Sequence, residues 1–144
     1  MLELLAVFAC TMFTGASIYI SLVEHPARMS CSTEVAATQW APSYKRATVM
    51  QVSLAVVAVV CGGIRWWQGG EAVWLVGAVL IFSVIPFTVI VILPTNNKLL
   101  APGRDLASAD TRTLLEKWGR LHAVRSVLSL AASMLFIWAM QASS

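Results

Sequence analysis

Charged residues are scarce in this sequence. Asp, Glu, Lys and Arg make up 12% of its 144 residues, and hydrophobic residues make up 58%. A soluble domain carries roughly 25% charged residues, because its surface has to face water. The mean hydropathy of the chain is +0.76. The shortage of charge therefore excludes a soluble globular domain and predicts a membrane protein.

The sequence also lacks the patterns of several other protein classes. Its three cysteines, Cys10, Cys31 and Cys61, form no CxxC pair and no metal-ligand spacing, and an odd number excludes a complete disulfide framework. We expect free packing residues, with a Cys10–Cys61 bridge as the alternative. Glu3 is the only charge near the N-terminus, so no signal peptide is predicted there and the first apolar segment should be retained.

Four apolar segments are long enough to cross a bilayer, which needs roughly 20 residues per helix. They cover about residues 2–23, 47–67, 73–93 and 121–140. These segments use up most of the chain and leave no room for a soluble domain. The prediction is one all-α domain, a four-helix transmembrane bundle.

The connections between the spans predict the topology. Residues 68–71 contain two glycines and form a tight turn, so spans two and three make a hairpin. We expect Trp66, Trp67 and Trp74 beside this turn to lie in an interfacial aromatic belt. The last residue of span three should be set by Pro94, which cannot donate a helical hydrogen bond.

The two longer connections, 24–46 and 94–120, lie on one side of the membrane if all four spans cross. Most basic residues belong to that side: Arg28, Lys45, Arg46, Lys98, Arg104, Arg112, Lys117 and Arg120. Basic connections stay in the cytoplasm, so we expect both termini outside an inner or plasma membrane. The net charge of +3 is explained in this way and indicates no nucleic-acid partner. Within the second connection, Ser108 should cap a short helix over 111–118 that leads into span four.

The sequence suggests a weak internal repeat. Residues 23–29 close span one much as residues 93–99 close span three, with a basic residue and then an apolar one at matching places. Trp40 and Trp118 each stand four residues before another aromatic ring. Two parallel helical hairpins would explain this pattern, and chance similarity is the alternative.

Two stripes of polar side chains follow helical spacing in spans one and four. The stripes consist of Thr14, Ser17, Ser21, Glu24 or His25, and Arg28, and of Trp118, His122, Arg125 or Ser126, Ser129 and Ser133. Side chains at steps of three and four share one helix face. Because lipid exposure would be unfavourable, both stripes should face the bundle interior, as a site or as hydrogen bonds that join helices.

Ionisable and amide side chains gather where spans one, three and four meet one membrane face. They are Glu24, His25, Arg28, Asn96, Asn97, Lys98, Arg120, His122 and Arg125. Each charge at membrane depth costs roughly 2.5 to 3.5 kcal/mol unless it is paired or hydrated. The gathering predicts either a polar pocket or an ion-pair network that locks the connections. We expect Glu24 to pair with Arg28, or with Arg125 across the bundle.

Both histidines of the sequence, His25 and His122, fall at this face. Imidazole titrates near neutral pH, so each can act as a general base or contact a substrate, and each can also serve as a structural hydrogen-bonding group. Two histidines without further ligands do not make a metal site, so no metal or cofactor is predicted. Haem or metal bound through both is the alternative. Trp40 and Trp118 suit either a flat aromatic ligand or an interfacial anchor.

Three motifs resemble the anthrone oxygenase-like family of small membrane proteins. They are Glu-His-Pro-Ala-Arg at 24–28, Pro-Thr-Asn-Asn-Lys-Leu at 94–99 and Trp-x-x-x-His-x-x-Arg at 118–125. The resemblance covers nearly the whole chain. It implies a four-helix membrane bundle, with members linked to oxidation of polyketide anthrones to anthraquinones by molecular oxygen, without a recognised metal or flavin. The residues carried over are His25, Arg28, Asn96, Asn97, Trp118, His122 and Arg125.

The resemblance leads to a hypothesis about the chemistry. His122 or His25 would remove a proton from the activated carbon, and Asn97 and Arg125 would stabilise the enolate-like oxygen. The substrate would contact the remaining candidates, which are Glu24, Arg28, Asn96, Lys98, Trp40 and Trp118. The alternative is a non-catalytic membrane binder of small molecules or an accessory subunit. Expected partners are the lipid bilayer, a hydrophobic small molecule and, as a further candidate, a second copy of the chain.

Overall fold

Four long helices make up the molecule. The structure is a computed structural model that describes residues 1–142. Its helices are α1, Leu2–Met29; α2, Thr33–Trp67; α3, Ala72–Leu99; and α4, Ala109–Ala142. Each is long and apolar enough to cross a membrane. The chain is therefore an all-α, multi-pass integral membrane protein, as the sequence predicts.

The helices form a ring in which each packs against two neighbours. Helix α1 contacts α2 and α4, and α3 contacts the same two helices from the other side. Helices that are consecutive and joined by short connections run antiparallel. One end of the bundle, here called the loop end, holds the connections α1–α2 and α3–α4. The opposite end, here called the turn end, holds the 68–71 turn and both termini. The internal repeat stays a prediction.

Helices α2 and α4 are longer than a bilayer crossing requires. They contain 35 and 34 residues. At 1.5 Å per residue each is about 50 Å long, against a hydrocarbon core of about 30 Å. Residues 33–46 therefore continue α2, and the prediction that they are a connecting segment was wrong. Residues 109–120 begin α4 and include the short helix predicted over 111–118. Hydropathy marks the membrane-embedded part of a helix and misses its polar extension.

Serine caps explain where these extensions begin. The Ser32 Oγ accepts a hydrogen bond from the Val35 N–H at 3.4 Å. At the start of α4 the Ser108 Oγ accepts from the Thr111 N–H at 3.2 Å. A side-chain oxygen at this position satisfies one of the free N–H groups of a helix start. The Ser108 cap is confirmed, and the helix that it begins leads without a break into the fourth span, as predicted.

Prolines lie inside α1 and α3. Pro94 was expected to end the third span, but α3 continues to Leu99, so this prediction was wrong. A π-helical segment, Thr88–Ile92, comes before Pro94, and another, Ile20–Glu24, comes before Pro26. Proline has no N–H for the carbonyl four residues earlier, and a wider π turn shifts the hydrogen-bond register so that the helix can go on.

The apolar core near the turn end is built around Trp74 and Phe136. Both rings are buried, and their centroids lie 5.5 Å apart. The Phe136 ring fits because Gly77 has no side chain, since a Cβ there would lie 2.7 Å from the ring. Trp67 is 81% exposed, but the prediction of an interfacial position was wrong for Trp74. Trp74 packs inward against the Phe136 ring, for which Gly77 leaves room.

The cysteines are free. Cys10 and Cys61 are buried, which fits packing residues, and no disulfide joins them. Cys31 is exposed at the loop end, so the packing interpretation was wrong for this residue. Its exposure makes its thiol accessible to labelling reagents at that end of the molecule.

Candidate functional site

The polar stripes of α1 and α4 face each other inside the bundle. Thr14 Oγ1 and Ser133 Oγ lie 2.8 Å apart, and the Ser126 hydroxyl donates to the Ser17 carbonyl oxygen at 3.0 Å. All four side chains are buried. The prediction that both stripes face the interior is confirmed. Contacts of this kind continue along the two helices toward the loop end, where the aromatic and charged residues lie.

An aromatic cluster at the loop end centres on Trp118. Its ring centroid lies 5.2 Å from that of His25, 4.8 Å from that of His122 and 5.8 Å from that of Trp40. Tyr44 stacks on Trp40 with centroids 5.1 Å apart. Residues from α1, α2 and α4 thus meet at one indole. Both histidines contact the same ring. The absence of a metal or cofactor stays a prediction, with haem or metal bound through both histidines as its alternative.

His25 reaches Trp118 because α4 carries a glycine beside it. A Cβ on Gly119 would lie 2.5 Å from the His25 Nε2 atom, which is too close for a side chain to be tolerated there without movement. The imidazole is buried, and its Nδ1 atom has no hydrogen-bond partner among the residues described. His25 therefore lies against the α4 backbone and supports one side of the indole.

Glu24 pairs with Arg28, one helical turn away. Ser43 of α2 donates to the same carboxylate oxygen at 2.5 Å. The Arg28 guanidinium also lies 5.9 Å from the centroid of the Trp118 ring, within the range of a cation–π contact. Of the two pairings expected for Glu24, the one along α1 is confirmed and the one with Arg125 is not formed.

Arg125 is a buried guanidinium without an acidic partner. It is 8% exposed, and none of the ion pairs within residues 1–142 includes it. Its Nη2 donates to Gln51 Oε1 at 3.0 Å, while Nε has no partner. Gln51 in turn donates to Ser17 Oγ at 3.2 Å. A buried guanidinium that donates to a neutral amide is unfavourable unless a further acceptor pairs with its charge. Arg125 is therefore available to an anionic ligand.

His122 is 2% exposed and lies one turn before Arg125 on α4. Its Nδ1 atom lies 3.0 Å from the Ser21 Oγ, which lies 2.9 Å from the Ser126 Oγ. Its Nε2 atom has no hydrogen-bond partner within the described part of the chain. One side of the imidazole is thus anchored to α1, and the other nitrogen is free.

Two cavities adjoin these side chains. A cavity of about 10 Å³ lies among Tyr44, Trp118, His122 and Arg125, which is enough for a group the size of one water molecule. A cleft of about 200 Å³ shares Tyr44, Thr48 and Arg125 with it. The rest of the cleft is mostly apolar and consists of Phe13, Val52, Ala55, Val84, Ile85, Thr88, Val89 and Leu93.

The cleft opens on the lipid-facing surface of the bundle. Its residues come mainly from α2 and α3, and Val52 and Val89 at its rim are 47% and 56% exposed. Arg125 is the one charged residue among its described lining residues. The cleft thus connects an apolar entrance with a single buried positive charge.

The structure brings together most of the predicted site residues. His25, Arg28, Trp40, Trp118, His122 and Arg125 meet at the loop end, with Glu24 at the edge. Asn97 and Lys98 are exposed on α3 and do not join them. Asn96 is fully buried, its amide atoms have no partner among the residues described, and it lines neither cavity.

Sequence reasoning missed two residues of the site, Gln51 and Tyr44. Gln51 is a buried amide within an otherwise apolar stretch of the second span, and a polar residue at that depth indicates a specific partner. This signal could have identified it. In the sequence, Tyr44 stands out only as the aromatic ring four residues after Trp40. It lines both cavities because α2 is helical before residue 47, which hydropathy did not reveal.

Four membrane-crossing helices around a buried His–Trp–Arg cluster define a small integral membrane protein. A family model described as anthrone oxygenase matches residues 40–135, which include Trp40, Gln51, Trp118, His122 and Arg125. The chain belongs to the anthrone oxygenase family, as the sequence motifs indicate.

Curated relatives match over most of the chain. An anthrone oxygenase of Claviceps purpurea is 30% identical over 85% of this chain and 78% of its own length. The anthrone oxygenase tpcL of Aspergillus fumigatus is 31% identical over 90% of this chain and 87% of its own length. No solved structure matches the chain.

Proposed function

We propose that this protein oxidises a hydrophobic aromatic carbon acid of the anthrone type to a quinone with molecular oxygen. In this reaction the methylene group loses two hydrogens and gains one oxygen atom, and the second oxygen atom leaves as water. Family membership and the names of the relatives support the substrate class. The site would be the cluster around His122 and Arg125.

The observation that carries the proposal is the unpaired guanidinium of Arg125 at the apolar cleft. Removal of a methylene proton from an anthrone puts negative charge on the carbonyl oxygen. A positioned guanidinium that donates hydrogen bonds to this oxygen lowers the energy of the anion, and the effect is large where water is excluded. Arg125 therefore supports formation of the carbanion that reacts with oxygen.

His122 is the base in this scheme. It lines the same small cavity as Arg125, and its free Nε2 can take the methylene proton. The carbanion then reduces oxygen, and a carbon–oxygen bond forms. Return of the proton gives a hydroperoxide, which loses water to leave the new carbonyl group. His25 lines neither cavity, so its part is to hold Trp118 in place.

The substrate would enter from the bilayer through the cleft. Val89→Trp is expected to fill the entrance and to raise KM for an anthrone about tenfold, because most of the ligand surface is buried in an apolar pocket of this kind. The measurement is steady-state turnover in lipid nanodiscs. The control is Ile90→Trp, since Ile90 is 72% exposed and does not line this cleft. Equal effects of both substitutions would exclude this entrance.

The excess of Lys and Arg at the loop end supports a cytoplasmic position for that end and for the proposed site. A membrane-impermeant maleimide should therefore label Cys31 only after the cells are lysed. Cys10 and Cys61 are buried, so Cys31→Ser should abolish labelling under both conditions. Labelling of Cys31 in intact cells would reverse the proposed orientation.

A further inference from the structure

A chain of hydroxyl groups connects His122 to the α1 backbone. His122 Nδ1 lies 3.0 Å from Ser21 Oγ, Ser21 Oγ lies 2.9 Å from Ser126 Oγ, and Ser126 Oγ lies 3.0 Å from the Ser17 carbonyl oxygen. His122, Ser17 and Ser126 are buried. Each of the three contacts needs one hydrogen atom, because buried polar atoms that face each other without one are destabilising.

The far end of the chain determines the direction of all three hydrogen bonds. A carbonyl oxygen only accepts, so the single hydrogen of Ser126 is donated to Ser17. The other carbonyl near Ser126 is that of His122 at 3.4 Å, and it likewise only accepts. Ser126 must then accept from Ser21. Ser21 has no second hydrogen, and it accepts from His122.

This direction requires a proton on His122 Nδ1. With the proton there, the imidazole and the two serines supply three hydrogens for three contacts. With the proton on Nε2, only two hydrogens are available, and one of the three buried or partly buried contacts is left between two lone pairs. The hydrogen-bond geometry thus selects one of the two neutral tautomers of His122.

We propose that Ser21 and Ser126 are positioning residues that hold His122 in its Nδ1–H tautomer and leave the Nε2 lone pair free for a substrate proton. The catalytic part of this inference rests on the proposed function, while the tautomer is a property of the resting protein. When Nε2 takes a proton, Nδ1 keeps its own, and Ser21 continues to accept from it. Proton transfer therefore needs no rearrangement of the hydroxyl chain.

A second hydroxyl contact provides a matched control. Thr14 and Ser133 join the same two helices at 2.8 Å and are buried like the serines near His122. Neither contacts an imidazole in the described chain. Ser133→Ala therefore removes one buried hydroxyl from α4, as Ser126→Ala does, without touching His122.

The tautomer can be read from nitrogen-15 NMR of histidine-labelled protein in detergent micelles. The chain has two histidines, so His25→Gln assigns the His122 signals. We expect Nδ1 to be protonated and Nε2 unprotonated in the unchanged protein. Ser126→Ala should lower the population of this tautomer, Ser126→Thr should restore it because it keeps the hydroxyl group, and Ser133→Ala should leave it unchanged.

Turnover connects the tautomer with activity. If Ser126→Ala reduces the Nδ1–H tautomer to about a tenth, kcat for an anthrone should fall about tenfold with little change in KM, since only one tautomer can act as the base. A proton on Nε2 in the unchanged protein would overturn the inference, as would equal spectra of the Ser126→Ala and Ser133→Ala variants. The expected spectra without anthrone turnover in any variant would support the tautomer and refute the proposed function.

Discussion

His122→Gln is expected to lower kcat for anthrone oxidation by about 10²- to 10⁴-fold, which is the usual contribution of a general base. Glutamine keeps a polar side chain of similar reach but cannot accept and hold a proton. The measurement is the initial rate of quinone formation in nanodiscs, with the protein-free oxidation rate subtracted. KM should change little, because the apolar cleft and Arg125 remain.

The matched control for this variant is His25→Gln. His25 contacts the same indole from α1 but lines neither cavity, so its loss should reduce kcat less than tenfold through displacement of Trp118. If kcat fell more in His25→Gln than in His122→Gln, His25 and not His122 would be assigned as the base. Unchanged turnover in both variants would rule out acid–base catalysis by histidine.

Arg125→Met is expected to lower kcat/KM by about 10²- to 10³-fold, the effect of removing a hydrogen-bond donor to a developing oxyanion. The same substitution should change the thermal unfolding midpoint little or raise it. The reason is that a buried cation without an acidic partner is replaced by an apolar side chain of similar length. The two measurements are turnover and thermal unfolding of the same preparation.

Arg28→Met is the comparison for stability. Arg28 pairs with Glu24, and its removal leaves that carboxylate without its cation. This variant should unfold at a lower temperature than Arg125→Met, although Glu24 is partly exposed and water reduces the effect. If Arg125→Met unfolded at the lower temperature and kept its activity, Arg125 would be a structural residue and the proposed oxyanion contact would be wrong.

The membrane-embedded parts of the fold could be predicted from the sequence because an apolar run of roughly 20 residues matches the length that a helix needs to cross the bilayer. The helical extensions could not be predicted in this way. Residues 33–46 carry charges and Pro42, which is typical of a connection, yet a helix outside the bilayer can expose polar side chains to water. The prediction that Pro94 ends the third span was wrong for a related reason. A π turn before Pro94 compensates for its missing N–H, so the helix continues.

The polar stripes identified much of the candidate site, since helical spacing determines which side chains share a face. Spacing alone could not separate Asn96 from Asn97, and the structure buries the first and exposes the second. It also could not show that Gln51 rather than a carboxylate meets Arg125. Contacts between helices depend on their rotation and tilt, which packing determines and the spacing of polar residues does not reveal.

The most direct test is oxidation of an anthrone by the purified protein under ¹⁸O₂, with oxygen uptake and quinone formation recorded together. The proposed mechanism predicts one quinone per oxygen molecule, one labelled oxygen atom in the product, a rate well above that without protein, and loss of this rate in His122→Gln. A product oxygen derived from water, or a rate equal to that of spontaneous oxidation, would contradict the proposed oxygenase activity.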